Sequence, residues 1–265
     1  MATGLVRAAW DYRGFIVGSV KREFQSRYRN SMLGVIWMII NPLAMIVVYT
    51  LIFSQLMHAR LAGVNNNMAY SIYLCAGILT WGLFAEIIGR SQTMFLDNAN
   101  LLKKLSFPRI CLPIIVVLNA SLNFAIIFAL FTGFLVLSGN FPGLVYFAIL
   151  PVLVIQIGFA IGLGMILGVL NVFFRDVGQL FGIVLQFWFW LTPIVYPLSV
   201  IPAVIRPLIE MNPMMQLIGS YQAILVHASW PQWQGLLPVV FLTLALIILG
   251  MLLFRRRAGE MVDEL

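Results

Sequence analysis

The chain has 265 residues, 62% of them hydrophobic and only 9% charged, with a formal net charge of +7 and a mean hydropathy of +1.00. One soluble core cannot hide that much apolar surface, whereas a bilayer, with a hydrocarbon core about 30 Å thick, accepts it in helices of about 20 residues. The positive charge sits in loops beside apolar stretches, the usual topology signal of membrane proteins, and leaves no free basic face for nucleic acid. The first stretch, residues 1–31, is mixed and basic, with no apolar segment ahead of a small-residue cleavage site, so it is not a cleavable signal. Leu5, Trp10, Phe15, Ile16, Val20, Phe24 and Tyr28 recur there among Lys and Arg. The pattern predicts an amphipathic helix lying in the cytoplasmic interface.

Six apolar spans follow, at about Met32–Met57, Met68–Gly89, Ile110–Leu137, Leu144–Phe174, Val177–Val200 and Leu236–Phe254. Each is expected to be a helix, because backbone amides in lipid must pair internally. The fourth is expected to bend at Pro151. The expected fold is therefore an all-α integral membrane protein. It has an interface helix (1–31), a six-helix transmembrane domain (32–254) and a cytoplasmic tail (255–265). Fourteen of the 16 Lys and Arg lie on the side that carries both termini, and only Arg60 and Arg206 on the other. Both ends are thus expected in the cytoplasm. The stretch 200–226 is apolar enough for a seventh span, but holds Pro202, Pro207 and Pro213 with Arg206 and Glu210. A seventh crossing would also put Arg255, Arg256 and Arg257 outside. Residues 200–231 therefore read as short helices that dip in from the outer face and return. Such breaks are tolerated where protein or a water-filled cavity surrounds them, which points to an outer gate at Pro202, Arg206, Glu210, Asn212 and Pro213.

No G-x-x-x-x-G-K-[ST] run is present, so no triphosphate cradle is expected in this chain, nor a cofactor. Cys75 and Cys111 begin spans on opposite faces, too far apart for a disulfide, and His58 and His227 are isolated rather than metal-spaced. Gly158/Gly162 and Gly164/Gly168 carry the small-xxx-small spacing of close helix packing. Glu86, inside the second span, reads either as channel lining or as the partner of Arg90 one turn on. A proton relay lacks a second intramembrane carboxylate. Asp176 beside Arg175 reads as a loop ion pair.

The cytoplasmic loop 90–109 is polar, and its middle (Asn98, Asn100, Leu101, Leu102, Lys103, Lys104) forms either a helix docking into a groove of a soluble partner or a plain interfacial loop. Phe107-Pro108 ends it. On the first span Trp37, Asn41, Tyr49 and Phe53 fall along a stripe, and on the fifth Phe181, Trp188, Thr192 and Tyr196 lie on neighbouring faces. Sugar rings stack on aromatic faces, so these positions suit a carbohydrate path. Lipid-facing or interhelical packing is the alternative for each ring.

Together these segments resemble the permease subunit of polysaccharide-exporting ABC transporters, the type-2 exporter group that serves O-antigen, teichoic acid and capsule. Arg27-Tyr28-Arg29-Asn30-Ser31-Met32-Leu33-Gly34-Val35-Ile36-Trp37 with Asn41-Pro42 is similar to that family's N-terminal signature. Residues Asn100 to Pro108, with Pro113 beyond, resemble its coupling helix. Phe174-Arg175-Asp176-Val177, Thr192-Pro193-Ile194-Val195-Tyr196-Pro197 and Asn212-Pro213 complete the order. The resemblance implies two permease copies lining a channel in the bacterial inner membrane. Each would dock on a nucleotide-binding subunit that holds ATP and Mg. The cargo would be an undecaprenyl-pyrophosphate-linked glycan, O-antigen first, with teichoic acid, capsule, or a drug or lipid as alternatives. An ion-coupled secondary transporter is the rival from another class, disfavoured by the scarcity of intramembrane charge. A non-transport scaffold would not need broken outer helices.

Overall fold

The computed structural model describes residues 10–28, 36–52, 68–104 and 108–264, and every regular element among them is helical. In chain order these are α1 (Arg13–Tyr28), α2 (Trp37–Tyr49), α3 (Ala69–Asp97), α4 (Ala99–Lys104), α5 (Cys111–Leu137) and a 3-10 segment (Gly143–Ala148) that runs into α6 (Ile149–Phe173). Then come α7 (Asp176–Trp190), α8 (Arg206–Glu210), α9 (Pro213–His227), α10 (Trp233–Arg257) and α11 (Glu260–Glu264). Four helices are long and apolar enough to cross a bilayer: α3, α5, the continuous helix 143–173, and α10.

α3 is the axis of the molecule and packs against α5, α6, α7 and α9, while α6 also carries α10. Burial ranks the helices: 67% of the most apolar window of α3 is enclosed, against 22% for α10. The outer face of α10 therefore needs an apolar solvent, which lipid supplies. The glycines of α6 explain how three long helices come so close. A Cβ on Gly158 would lie 2.9 Å from Thr243, and one on Gly162 would lie 2.9 Å from the backbone of Ile247, both on α10. A Cβ on Gly164 would lie 2.6 Å from Ser91, on α3. The two small-xxx-small pairs thus face opposite neighbours, as positions offset by two residues must on a helix.

Three expectations change. The second span does not end at Gly89: α3 runs on to Asp97, because nothing breaks a helix before Asn98 and because Ser91 and Met94 find partners in the glycine face of α6. Pro151 does not bend the fourth span. It falls in the first turn of α6, where its missing amide costs no α-helical bond, and the change of geometry is from 3-10 to α at Ala148. The fifth span is not one helix to Val200. Pro193 has no amide to continue the helical ladder, and α7 stops at Trp190 after 15 residues, a length of about 22 Å. The first expected span is helical over its described part, and Phe53 and the residues to 57 lie outside the described residues.

Candidate functional site

α1, the later turns of α3 and the early turns of α5 meet in a polar junction. Ile16 and Val20, one turn apart on α1, bury against Cys111 and Ile115 of α5, which sets α1 alongside the bundle and brings Glu23 to α3. Arg90 donates from Nε to Glu86 at 3.0 Å and pairs through its terminal nitrogen with Glu23. Asn123 donates to the second oxygen of Glu86 at 2.8 Å, and Asn119 donates to Glu23. One guanidinium therefore holds two carboxylates from different helices, and the asparagines of α5 satisfy their remaining oxygens. Charge-assisted bonds are the strong ones, and this set ties the position of α1 to that of α3. Glu86 thus has its partners at the junction, the local pairing left open by the sequence. Glu23 is the only acid of α1, and Asn119 and Asn123 are spaced i, i+4 on an apolar helix. Both signals are legible in the sequence. Beside the junction lies a cleft of about 380 Å³ bounded by Phe15, Arg22, Asp97, Leu101 and Leu112.

The segment expected to dock on a partner is a helix of six residues, α4. Asn98 ends α3 by returning its side-chain amide to the Met94 carbonyl at 2.8 Å, while its own carbonyl accepts from the amides of Leu101 and Leu102. Asn100 and Lys103 are exposed, and Leu101 is half-buried along the cleft. Leu102 turns inward and is buried with Phe95, Val172, Phe254 and Met261. The side chain of Lys104 lies outside the described residues.

Towards the opposite end of α3 a hinge is built where α7 breaks. Asn212 is the N-cap of α9: its side-chain oxygen accepts from the Met214 amide at 3.0 Å and from the Trp188 indole at 2.8 Å. Its side-chain amide donates to the Thr192 hydroxyl at 2.9 Å, and Pro213 takes the first helical position, where no amide is needed. Trp188 also meets Trp81, Phe84 and Phe159 edge-on. Thr192 and Ile194 have no exposed surface, so Thr192 serves the hinge and not a wall of this subunit. The carbonyls freed by the break are satisfied: the Tyr73 hydroxyl lies 2.8 and 3.1 Å from the oxygens of Pro193 and Tyr196, Tyr70 donates to Val195 and Gln222 to Pro193. Nothing in the sequence pattern of α3 marks Tyr70 and Tyr73 for this service.

The other expected residues are dispersed. Trp37 is 48% exposed. The side chains of Asn41 and Tyr49 lie outside the described residues. Phe181 packs on the edge of the core, and Tyr196 is half-buried with its hydroxyl on the Trp190 carbonyl. Arg206 donates to the Leu198 carbonyl at 3.2 Å. The Pro202 carbonyl accepts from the Ile205 and Arg206 amides, and Glu210 is exposed. A third polar clamp, unforeseen, is Asn171, which donates to the Gln92 carbonyl and accepts from the Gly178 amide, both at 2.9 Å. It binds the start of α7 to α3. Among the described residues no group of His, Cys, Asp and Glu could hold a metal, and both cysteines are free and buried.

Comparison with known proteins returns the ABC-2 type transporter family over residues 16–226. The O-antigen export system permease protein of Myxococcus xanthus is 31% identical over 98% of this chain and 99% of its own length. A Klebsiella pneumoniae protein of the same description is 28% identical over 91% of each. The polysialic acid transport protein of Escherichia coli is 22% identical over 92% of this chain and 93% of its own length.

Proposed function

The chain belongs to the ABC-2 type transporter family, and on that premise we propose that it is the membrane subunit of an exporter of O-antigen. The observation that carries the cargo is the end-to-end 31% identity to an O-antigen export permease, against 22% to the polysialic acid transport protein. The cargo would be a glycan on undecaprenyl pyrophosphate, moved outward across the bacterial inner membrane by two copies of this subunit and two ATPase subunits. ATP and Mg belong to the ATPase partner.

Six crossings with both termini cytoplasmic remain our reading, with α2 and its flanking residues as the first and α7 with the segment after it as the fifth. Depth along α3 supports a re-entrant 200–231. Trp188 stands against Trp81, and Asn212 accepts from the Trp188 indole. Ile194 and Gln222 approach Gly77, and Val195 and Val226 reach Tyr70 and Ala69 at the start of the helix. From Trp81 to Ala69 α3 rises about 18 Å. The chain therefore climbs from Trp188 to Tyr196, returns to mid-depth at Asn212, and climbs again through α9. Asn212-Pro213 is the inner point of this hairpin, and opening an outer gate means moving it.

α4 is the coupling helix, and Asn100 and Lys103 are its partner-facing residues. The polar junction passes its movement to α1. The wall for the glycan is drawn from Trp37, Asn41, Tyr49, Phe53, Phe181 and Tyr196, where aromatic faces stack on sugar rings and no charge retains them. The test is export in cells that lack their own O-antigen permease and ATPase. Supplying this chain with its ATPase subunit should restore surface O-antigen. Restoration of capsule but not of O-antigen would replace the cargo, and restoration without any ATPase would sink the mechanism.

A further inference from the structure

The tail after α10 was expected only to be cytoplasmic, yet it folds back. Arg257 pairs with Glu260, and its guanidinium stands 5.8 Å from the centre of the Phe173 ring at the end of α6. The chain turns at Ala258-Gly259 into α11, which contacts both α6 and α4. Met261 is thereby left only 1% exposed, in one cluster with Leu102 of α4, Phe95 of α3 and Phe254 of α10. Phe95 and Phe254 stack beneath it at 5.6 Å. A helix of six residues is too short to hold itself, and α4 is bounded on one side only by the Asn98 turn. What fixes its orientation is the burial of Leu102, and Met261 is part of that socket.

We infer that the C-terminal hook, residues 257–264, is a positioning element for α4, so that Met261, through Leu102, sets how the coupling helix is presented to the ATPase subunit. This rests on the reading of α4 as the docking helix. Burial is the physical basis: a methionine side chain removed from water contributes whether or not it touches the partner, and an aspartate there cannot stay buried unpaired. The hook would thus fall away, and Leu102 would lose one wall of its socket.

Two measurements on the full permease–ATPase complex in nanodiscs test it. The first is maleimide labelling at Leu102→Cys, read against the two buried native cysteines. With Met261→Asp labelling should speed at least tenfold, and with Met261→Leu it should not change. The second is glycan exported per ATP hydrolysed, which should fall severalfold for Met261→Asp and recover for Met261→Leu. Unchanged labelling overturns the positioning role, and faster labelling with normal coupling overturns its relevance to transport. Asn100→Lys with Lys103→Glu, on the exposed face of α4, separates the two layers. If that pair uncouples transport while Met261→Asp does not, the hook alone is refuted. If neither does, α4 is not the docking helix.

Discussion

Removing the side-chain amide of Asn212 should unlock the hinge between α7 and α9. Asn212→Ala deletes three hydrogen bonds at once, to Trp188, Met214 and Thr192. Each contributes about 0.5–1.5 kcal/mol, and the indole N–H, left half-buried without a partner, makes the loss larger than for an exposed group. A local loss of about 2–4 kcal/mol follows, part of it the ordinary cost of losing an N-cap, about 1 kcal/mol. Since 1.36 kcal/mol is a factor of ten, local opening at the start of α9 should become at least about tenfold more frequent. Hydrogen exchange at the first amides of α9, Met214 to Gln216, measures this in nanodiscs. The core of α3 serves as the internal standard, because Phe84 and Ile87 are fully buried and should not respond. Asn212→Asp separates bonding from charge. It keeps both acceptor bonds but places an ion at mid-depth, which costs at least about 2.5–3.5 kcal/mol, so it should be worse than Ala for folding yield. Exchange in Asn212→Ala at the wild-type rate, with normal export, would refute the hinge.

Four further outcomes are expected. Trp37→Ala should slow export without altering thermal stability, because the ring is half-exposed, whereas Trp188→Ala should lower stability, because the ring meets Trp81, Phe84 and Phe159; export and melting temperature, with abundance held equal, tell the two apart. A double-mutant cycle on Glu23→Gln and Arg90→Gln should give a coupling of about 0.2–1 kcal/mol in stability, since the pair is partly exposed and screened; a coupling of zero would remove the junction as a link. Gly164→Val should abolish the α3–α6 contact, since even its Cβ would lie 2.6 Å from Ser91, while Gly182→Ala meets open space and should be tolerated; yield of monodisperse protein is the readout. Cysteines at 60 and 227 should label from outside and one at 258 from inside, and an outside signal at 258 would turn 200–231 into a true crossing.

Much of this protein is written in its composition. The length of the apolar stretches around 69–97, 111–137, 143–173 and 233–257 decided four helices, because lipid leaves a backbone no alternative. The glycine spacing of α6 forecast close packing, and the prolines at 202, 207 and 213 forecast broken helices, since both effects are local to the backbone, whereas the break at Pro193 was not foreseen. What lay beyond the sequence were the relations between distant segments. That Leu102 faces inward follows from where α10 and α11 end, not from the pattern of α4, where two adjacent leucines look alike. That Glu86 belongs to a junction needed Glu23 to arrive from 63 residues away. That Tyr70 and Tyr73 serve the carbonyls after Pro193 needed α3 and the break in α7 to lie at one depth. Apolar length and backbone breaks are properties of a segment, and a sequence states them. The pairing of a polar group is a property of two segments, and only their packing decides it.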